Sequence, residues 1–277
     1  MTISYEKFEK LEFEGWQERA AGYDDSTLHM TGKTIPALIT ATGIAPCDRV
    51  LDVCCGTGAV ARVAAKFGAK ISGIDFAPDM VSIASELIAD GEFKTADAQA
   101  LPFEDNSFDV VLTNFGHYHL ADPELAIREA ARVLRTGGRY GFTTWVGPDQ
   151  SDGFGLILKT ILGNVDPDVV IPSAPDAFRL ADEKVARQVL KASGFDHIQC
   201  RTFPSKIVCH PDSFVTFLKA ATVRATLVLN AQPVKIRTKI EALLREKIES
   251  FVTNGQVELP IPNRIITATR MYPEGAL

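Results

Sequence analysis

A glycine-rich turn at residues 52–58 carries the clearest chemical signal in the sequence. It reads Asp-Val-Cys-Cys-Gly-Thr-Gly, and it lies between an apolar segment typical of a strand and a helical segment that opens at Ala59. Glycine tolerates backbone angles that other residues avoid, and it lets a ligand approach the main chain at the N-terminus of a helix. The turn therefore predicts a site for a nucleotide-like ligand.

Two classes of ligand fit the spacing of this turn. Gly56, Gly58 and Ala61 match the pattern of dinucleotide-binding proteins, and Asp75 follows Gly58 after 17 positions, close to the spacing of a ribose-binding carboxylate. The charge of Asp52 separates the two classes. It would repel the pyrophosphate of a dinucleotide by roughly 4 kcal/mol per unit-charge pair at ~4 Å and an effective dielectric of ~20. It would attract the ammonium and sulfonium of S-adenosyl-L-methionine, although an aspartate that only caps the helix stays an alternative.

Four more segments follow the turn in a fixed order. After VLDVCCGTG come GIDFAPDM, TADAQALPF, SFDVVLTNF and EAARVLRTGGRYGF. Over residues 16–145 the sequence resembles the class I methyltransferases of the ubiquinone/menaquinone-biosynthesis type. The resemblance implies an α/β fold, a doubly wound, mostly parallel seven-stranded sheet (Rossmann-like methyltransferase) with a helical cap, and an enzyme that uses S-adenosylmethionine.

The same resemblance assigns residues to the methionine and ribose portions of this donor. Asp52, Cys54, Gly56 and Gly58 would hold the amino-acid portion, and Asp75 would bind both ribose hydroxyls, since a carboxylate offers two acceptor oxygens. Cys54 departs from the family, which usually has glycine there. We therefore expect an adjusted backbone angle at Cys54 or a displaced methionine moiety.

Further donor-binding residues are implied near the ends of later strands and in the amino-terminal segment. They are Phe76 and Met80 beside the adenine, Asp97 and Ala98 at its amino group and ring edge, Asn114 and Phe115 near the sulfonium, and Tyr23 as a lid. Ordinary core packing stays an alternative for Phe76, Met80 and Phe115. Tyr23 could equally anchor the amino-terminal cover to the body of the protein.

Catalytic candidates follow the fourth predicted strand, at the edge where parallel sheets place ligands. Methyl transfer is an in-line displacement that rests largely on alignment and exclusion of water, and a base is needed only for some acceptors. Histidine suits that task because its pKa of roughly 6.5 lies near cellular pH. We predict His117 and Tyr118 as catalytic residues, whereas His119 occupies a position that is often only structural in similar sequences. A packed or hydrogen-bonded aromatic stays the alternative for each.

Alternating strands and helices must position these residues. From residue 49 to residue 145, short apolar strands alternate with helices, which predicts right-handed crossovers and a parallel sheet. We predict three parts: a helical cover at 1–45, a donor-binding core at 46–146, and the rest of the same fold with helical cap insertions at 147–277. In the last part we expect a strand at 197–209, helices at 154–162, 182–192, 211–229 and 234–252, and a closing strand at 264–269.

Composition narrows the classes of function. The net charge of -6 and the lack of a Lys/Arg-rich run argue against a nucleic-acid partner. No apolar run approaches ~18 residues, and no signal peptide is evident, so we expect no membrane span and a cytoplasmic protein. The five cysteines lack the paired spacing of a zinc site, and we expect reduced thiols and no metal.

The predicted partner is a small-molecule methyl acceptor. Apolar residues of the cap could build a pocket for an aromatic or isoprenoid-like molecule, namely Phe154, Phe178, Phe214, Phe217 and Leu218. Core packing is the alternative for this set. An S-adenosylmethionine-binding protein without methyl transfer and an NAD(P)-dependent oxidoreductase stay open as alternatives. The oligomeric state, a homodimer included, is also open.

Overall fold

The computed structural model describes residues 5–271 of the chain. The strands are β1 Arg49–Val53, β2 Lys70–Asp75, β3 Glu92–Thr95, β4 Phe108–Asn114, β5 Leu134–Trp145, β6 Phe195–Phe203, β7 Lys206–Cys209, β8 Val252–Thr253, β9 Gln256–Pro260 and β10 Asn263–Arg270. The helices are α1 Glu6–Arg19, α2 Thr27–Thr31, α3 Ile35–Thr42, α4 Ala59–Ala65, α5 Pro78–Leu87, α6 Pro123–Val133, α7 Asp152–Leu162, α8 Glu183–Ala192, α9 Phe214–Ala221, α10 Val223–Ala231 and α11 Val234–Ile248.

A seven-stranded sheet forms the centre of the fold, with the order β3-β2-β1-β4-β5-β10-β6. Strands β1 to β5 pair in parallel, and β10 runs antiparallel to both of its neighbours. The predicted α/β, mostly parallel seven-stranded sheet is confirmed. The strand order reverses between β1 and β4, and open α/β sheets bind ligands in the crevice at the carboxyl ends of the strands on either side of such a point.

Helices cover both faces of this sheet. In β1, Leu51 belongs to the core on one face, whereas Val50 belongs to the core on the other face, and Val111 and Val110 in β4 divide in the same way. This follows from the two-residue period of a strand. The apolar runs in the sequence are therefore typical of strands that are buried on both sides.

The carboxyl-terminal part differs from the prediction in three places. The strand expected at 197–209 is interrupted at Pro204, which has no N–H for a ladder, and its second half (β7) joins a small antiparallel sheet with the order β7-β9-β8. The helix expected at 211–229 bends by 101° at Thr222 and forms α9 and α10. Strands β8 and β9 were not predicted, although Asn254 and Gly255 both have positive φ and form the turn between them.

A second apolar core lies beside the sheet. Helices α7, α9, α10 and α11 and the small sheet contribute to it, and Phe115 and Trp145 join it from the ends of β4 and β5. Helix α1 packs against both α5 and α10. The three predicted parts stay a prediction, and 1–45 and 147–277 extend at their outer ends beyond the described residues. Within residues 5–271, no single helix is long and apolar enough to cross a membrane.

Candidate functional site

A cavity of about 450 Å³ opens at the carboxyl edge of the sheet, beside the glycine-rich turn. We call it the first cavity. Most of the predicted site residues line it: Tyr23, Cys54, Gly56, Asp75, Phe76, Met80, Asp97, Ala98, Asn114, Phe115 and Tyr118. They come from the ends of β2, β3 and β4, from the turns after β1 and β4, from helix α5 and from the segment after α1. The topology therefore brings together residues that are far apart in the sequence.

Asp75 is the most firmly held acid of the first cavity. Its Oδ2 accepts a hydrogen bond from the N–H of Gly56 at 2.9 Å, and its Oδ1 accepts one from the N–H of Ala77 at 3.0 Å. The residue is only 5% exposed, and burial raises the pKa of its carboxyl above the ordinary value. Each oxygen keeps a second lone pair, so the fixed carboxylate can accept from two neighbouring hydroxyls.

The turn after β1 depends on left-handed backbone angles. The φ angles are +58° at Cys54, +52° at Gly56 and +81° at Gly58. A residue with a Cβ pays about 1–2 kcal/mol in this region, so Cys54 is strained where the family usually has glycine. Its side chain lies against Gly116, where an added Cβ would stand 2.7 Å from Cys54 Cβ. Cys54 therefore has a backbone angle that residues with a Cβ rarely adopt, and Gly116 leaves room for its side chain; a displaced methionine moiety stays a prediction.

Asp52 and Gly58 lie behind the turn and do not line the first cavity. Oδ2 of Asp52 accepts from the N–H of Ala61 at 3.2 Å, and Oδ1 has no partner within residues 5–271. Burial raises the pKa of Asp52 to about 8. A Cβ on Gly58 would meet Ile88 and Ala84 of the neighbouring helix. Both residues support the turn through these contacts, and the ligand contacts predicted for them stay predictions.

The amino-terminal segment covers this turn. The ring of Tyr23 lies over Gly56, with Tyr23 Cζ 3.5 Å from where a Gly56 Cβ would be. The next residue, Asp24, accepts hydrogen bonds from Thr57 Oγ1 at 2.6 Å and from Arg62 Nη2 at 3.2 Å. Asp24 thus attaches the cover to both the turn and helix α4.

Hydrogen bonds fix the residues at the ends of β4 and β5 that form the floor of the first cavity. Thr143 Oγ1 donates to Asn114 Oδ1 at 2.7 Å and accepts from the N–H of Phe115 at 2.9 Å. Trp145 Nε1 donates to the hydroxyl oxygen of Tyr118 at 3.0 Å. Burial raises the pKa of Tyr118, so its phenol is neutral and keeps its own O–H to donate.

The two histidines after β4 point in different directions. His117 is 3% exposed, does not line the first cavity, and has its Nε2 2.7 Å from the hydroxyl oxygen of Tyr140. Burial lowers the pKa of His117 to about 3, so it is a neutral core side chain. His119 instead lines the cavity, with Nδ1 2.6 Å from Oε2 of Glu12. His117 therefore lies outside the first cavity and its catalytic role stays a prediction, whereas the imidazole that lines the cavity belongs to His119.

A second cavity, also of about 450 Å³, adjoins the first. The side chains common to both are Trp16, Thr27, Thr31, Tyr118 and His119. The rest of its lining is largely apolar and comes mainly from α7, the 174–178 loop, α9 and α10, with Met30 of α2, Trp145 of β5 and Thr222 completing it. Of the predicted pocket residues, Phe154, Phe178 and Leu218 line it. Phe214 and Phe217 do not, because they pack into the apolar core of the cap.

Comparison with known proteins identifies the family of this chain. The model of the methyltransferase domain family matches residues 51–142. A demethylmenaquinone methyltransferase of Corynebacterium urealyticum is 33% identical over 176 residues, which are 60% of this chain and 75% of that protein. The chain belongs to the class I S-adenosylmethionine-dependent methyltransferases of the ubiquinone/menaquinone type. The predicted family and its donor, S-adenosylmethionine, are confirmed, and the oxidoreductase alternative is set aside.

Two more comparisons define how far the likeness extends. This methyltransferase is 37% identical over 131 residues to an uncharacterized protein of Mycobacterium tuberculosis, an alignment that covers 46% of each chain. The chain therefore matches about half the length of that relative. The crystal structure of the YcgJ protein from Bacillus subtilis superposes with a TM-score of 0.60 at 19% identity, covering 87% of this chain and all of the other. That likeness shows the fold.

Two charged residues near the cavities of this methyltransferase were not predicted as site residues from the sequence. Glu12 is fully buried and joins His119, while Arg224 lines the second cavity and places its Nε 3.4 Å from Glu12 Oε1. A local signal existed for one of them, since Glu12 and Trp16 are four positions apart and share a face of α1. Nothing local signals Arg224.

Proposed function

We propose that this methyltransferase transfers a methyl group from S-adenosylmethionine, held in the first cavity, to a small and largely apolar molecule held in the second. One observation carries the proposal: the cavity that holds Asp75 and Asp97 meets a largely apolar cavity at Tyr118 and His119. A cationic donor suits the first lining, and an apolar acceptor suits the second. The reaction would take place where the two cavities meet.

The residues present fit the donor. Asp75 would accept from the ribose hydroxyls, Phe76 and Met80 would cover the adenine, and Asp97 with Ala98 would meet its edge. Asn114 and Phe115 lie on the floor nearer the glycine-rich turn, where the methionine portion would lie. When bound, S-adenosylmethionine supplies an electrophilic methyl group on a positively charged sulfur.

The protein's own contribution is alignment in a site shielded from water. Trp16 and Tyr23 of the cover line the first cavity, and the aromatic rings of Phe115 and Trp145, with centroids 4.1 Å apart, pack together beside it. Holding two reactants in line can supply several kcal/mol of a displacement barrier, on the order of 7–11 in well-oriented cases. The neutral Tyr118 hydroxyl can orient a polar group of the acceptor by donating a hydrogen bond.

The size and lining of the second cavity favour a compact aromatic or isoprenoid-like acceptor. Its volume of about 450 Å³ falls within the usual range for small-molecule sites, roughly 300–1,000 Å³. The relative from Corynebacterium urealyticum is named a demethylmenaquinone methyltransferase, which supports an acceptor with an aromatic ring. A cytoplasmic location, the lack of a nucleic-acid partner and the oligomeric state, a homodimer included, stay predictions from the sequence.

A cavity-filling variant tests the assignment of the two cavities. Ala225 lines the second cavity and not the first, so Ala225→Trp should raise the KM of an apolar acceptor at least tenfold while leaving the affinity for S-adenosylhomocysteine within twofold. Ala231, at the exposed end of the same helix α10, provides the matched control Ala231→Trp. Transfer of labelled methyl to a panel of naphthols, hydroquinones and polar amines would be measured. Transfer to the polar amines alone, unaffected by Ala225→Trp, would refute the proposal.

A further inference from the structure

His119 is placed to act on both reactants. It ends the short helix His117–His119 after β4, its side chain is 15% exposed, and it lines the first and the second cavity. Of the five side chains common to the two cavities, His119 carries the imidazole, whose ring nitrogen can accept a proton. The position is that of a base between donor and acceptor.

A buried carboxylate orients this imidazole. Glu12 has no exposed surface, and its Oε2 lies 2.6 Å from Nδ1 of His119 and accepts from Trp16 Nε1 at 3.1 Å. A carboxylate at Nδ1 fixes the ring proton there and leaves Nε2 as the proton acceptor. Trp16 Nε1 also lies 3.3 Å from His119 Nδ1, but a protonated Nδ1 cannot accept a hydrogen bond, so in this tautomer the indole N–H is donated to Glu12. Within residues 5–271 the His119 ring has no hydrogen-bond partner at Nε2, so that nitrogen is left for a ligand.

We propose that His119 is the general base of the reaction, that Glu12 positions it, and that the reacting group of the acceptor is an acidic hydroxyl, as in a phenol or an enol. This inference rests on the proposed methyl transfer and adds the chemical class of the acceptor. An amine or a thiolate would reach the methyl group without a base of this kind.

Other charged groups around His119 are consistent with this role. Arg224 of α10 places its Nε 3.4 Å from Glu12 Oε1, and its buried Nη2 has no partner within residues 5–271. The remaining titratable groups around the first cavity are Glu9 and Lys10 of α1, Tyr23 of the cover, Cys54 of the glycine-rich turn, Asp75 and Asp97 at the ends of β2 and β3, and Tyr118 beside His119. Arg224 thus brings a positive charge into the second cavity, which also holds His119. This charge would stabilise an acceptor oxygen that develops negative charge during the reaction.

The proton and the charge balance in this step. The hydroxyl proton of the acceptor moves to Nε2 of His119 while its oxygen bonds to the methyl carbon, and the electron pair of the broken carbon–sulfur bond stays on sulfur. One positive charge is lost from the sulfonium and one appears on the imidazolium. Glu12, on the far side of the ring, stabilises that new charge.

Nitrogen NMR of the imidazole tests the dyad without any methyl transfer. The chain has five histidines, so the His119 signals can be assigned by their loss in His119→Gln. Above neutral pH the native protein should carry the ring proton on Nδ1, and Glu12→Gln should return the ring toward the Nε2–H form that is usual for free histidine. Glu14→Gln, an exposed change on the same helix, should not alter the signals. A proton on Nε2 of His119 in the native protein would overturn the proposal, because that atom could not then act as a base.

Kinetics separate this proposal from the proposed function. With an un-ionised hydroxyl acceptor, His119→Gln should lower kcat by about 10²–10⁴-fold, Glu12→Gln should lower kcat more than it changes KM, and the exposed His210→Gln should have no effect. The loss should shrink with an acceptor that is already ionised, such as 4-nitrophenol above its pKa. If the native protein transfers methyl and His119→Gln lowers kcat equally with both acceptors, His119 is not the general base, although the proposed methyl transfer stands. No native transfer at all, with the Nδ1 proton observed, would instead overturn the proposed function.

Discussion

Nδ1 of His119 lies 2.6 Å from Oε2 of Glu12, although 107 positions separate the two residues. This contact joins helix α1 to the turn after β4. The cover that encloses the first cavity and the imidazole that faces both cavities are therefore parts of one unit. Movement of α1 would change the orientation of His119 as well as the access of water.

The first prediction concerns the stability of this junction. Glu12→Ala removes the partner of Trp16 Nε1, of His119 and of the half-buried Arg224, so we expect a loss of about 3 kcal/mol in the free energy of unfolding. Glu14→Ala is the control on the same helix. Its side chain is 55% exposed, and its change should stay within about 0.5 kcal/mol. Urea denaturation measures both, and equal losses would contradict the role of Glu12.

The second prediction concerns the donor. In Asp75→Asn, an amide N–H would face the N–H of either Gly56 or Ala77, and the charge that can meet the ribose would be lost. We expect the affinity for S-adenosylhomocysteine to fall about 100-fold or more, equivalent to about 2.7 kcal/mol. Isothermal titration calorimetry measures this, with the exposed Asp79→Asn in the following helix as control. Unchanged affinity in Asp75→Asn would show that the ribose lies elsewhere.

The third prediction concerns the packing of Cys54 against Gly116. An added Cβ at Gly116 would stand 2.7 Å from Cys54 Cβ and 2.9 Å from Thr113 Cγ2. Gly116→Ala should therefore destabilise the native protein by more than it destabilises a Cys54→Gly background. We expect a coupling of about 1 kcal/mol or more in a double-mutant cycle, with part of the cost remaining because of Thr113. Additivity within about 0.3 kcal/mol would mean that the two residues do not restrict each other.

The fourth prediction concerns the pH dependence of stability at His117. Its pKa is about 3 in the folded protein, against roughly 6.5 when unfolded. The neutral ring therefore contributes stability that is fully present above about pH 6.5 and is lost as the pH falls toward 3. Relative to His117→Gln, the native protein should lose about 2 kcal/mol between pH 7.5 and pH 5. Other buried groups, such as Asp52, are the same in both proteins and cancel in the difference. A difference that does not change with pH would place His117 in contact with solvent.

The donor side of the site follows from local sequence patterns. Each strand of the parallel sheet ends at the same edge, so Asp75, Asp97 and Asn114 had to meet once their strands were recognised. The choice between His117 and His119 could not be made in this way. In a short helix with three residues per turn, positions two apart point in very different directions, and only tertiary packing decides which one faces the cavity.

The acceptor side depends on contacts between distant parts of the chain. Glu12 and Arg224 reach the site from α1 and α10, and no spacing rule connects them with the turn after β4. The bend at Thr222 is also set by tertiary structure, since the sequence from residue 211 to residue 229 keeps a helical apolar pattern across it. The sequence thus predicts the family and the donor edge, whereas the shape of the second cavity requires the packed cap.

Transfer of label from methyl-labelled S-adenosylmethionine into a metabolite extract tests the central claim most directly. The extract would be separated into an organic and an aqueous fraction after incubation with the native protein, with Asp75→Asn and with Asp79→Asn. The account predicts labelled product in the organic fraction with the native protein and Asp79→Asn, and none above background with Asp75→Asn. Label confined to the aqueous fraction, or no labelled product at saturating donor, would contradict it.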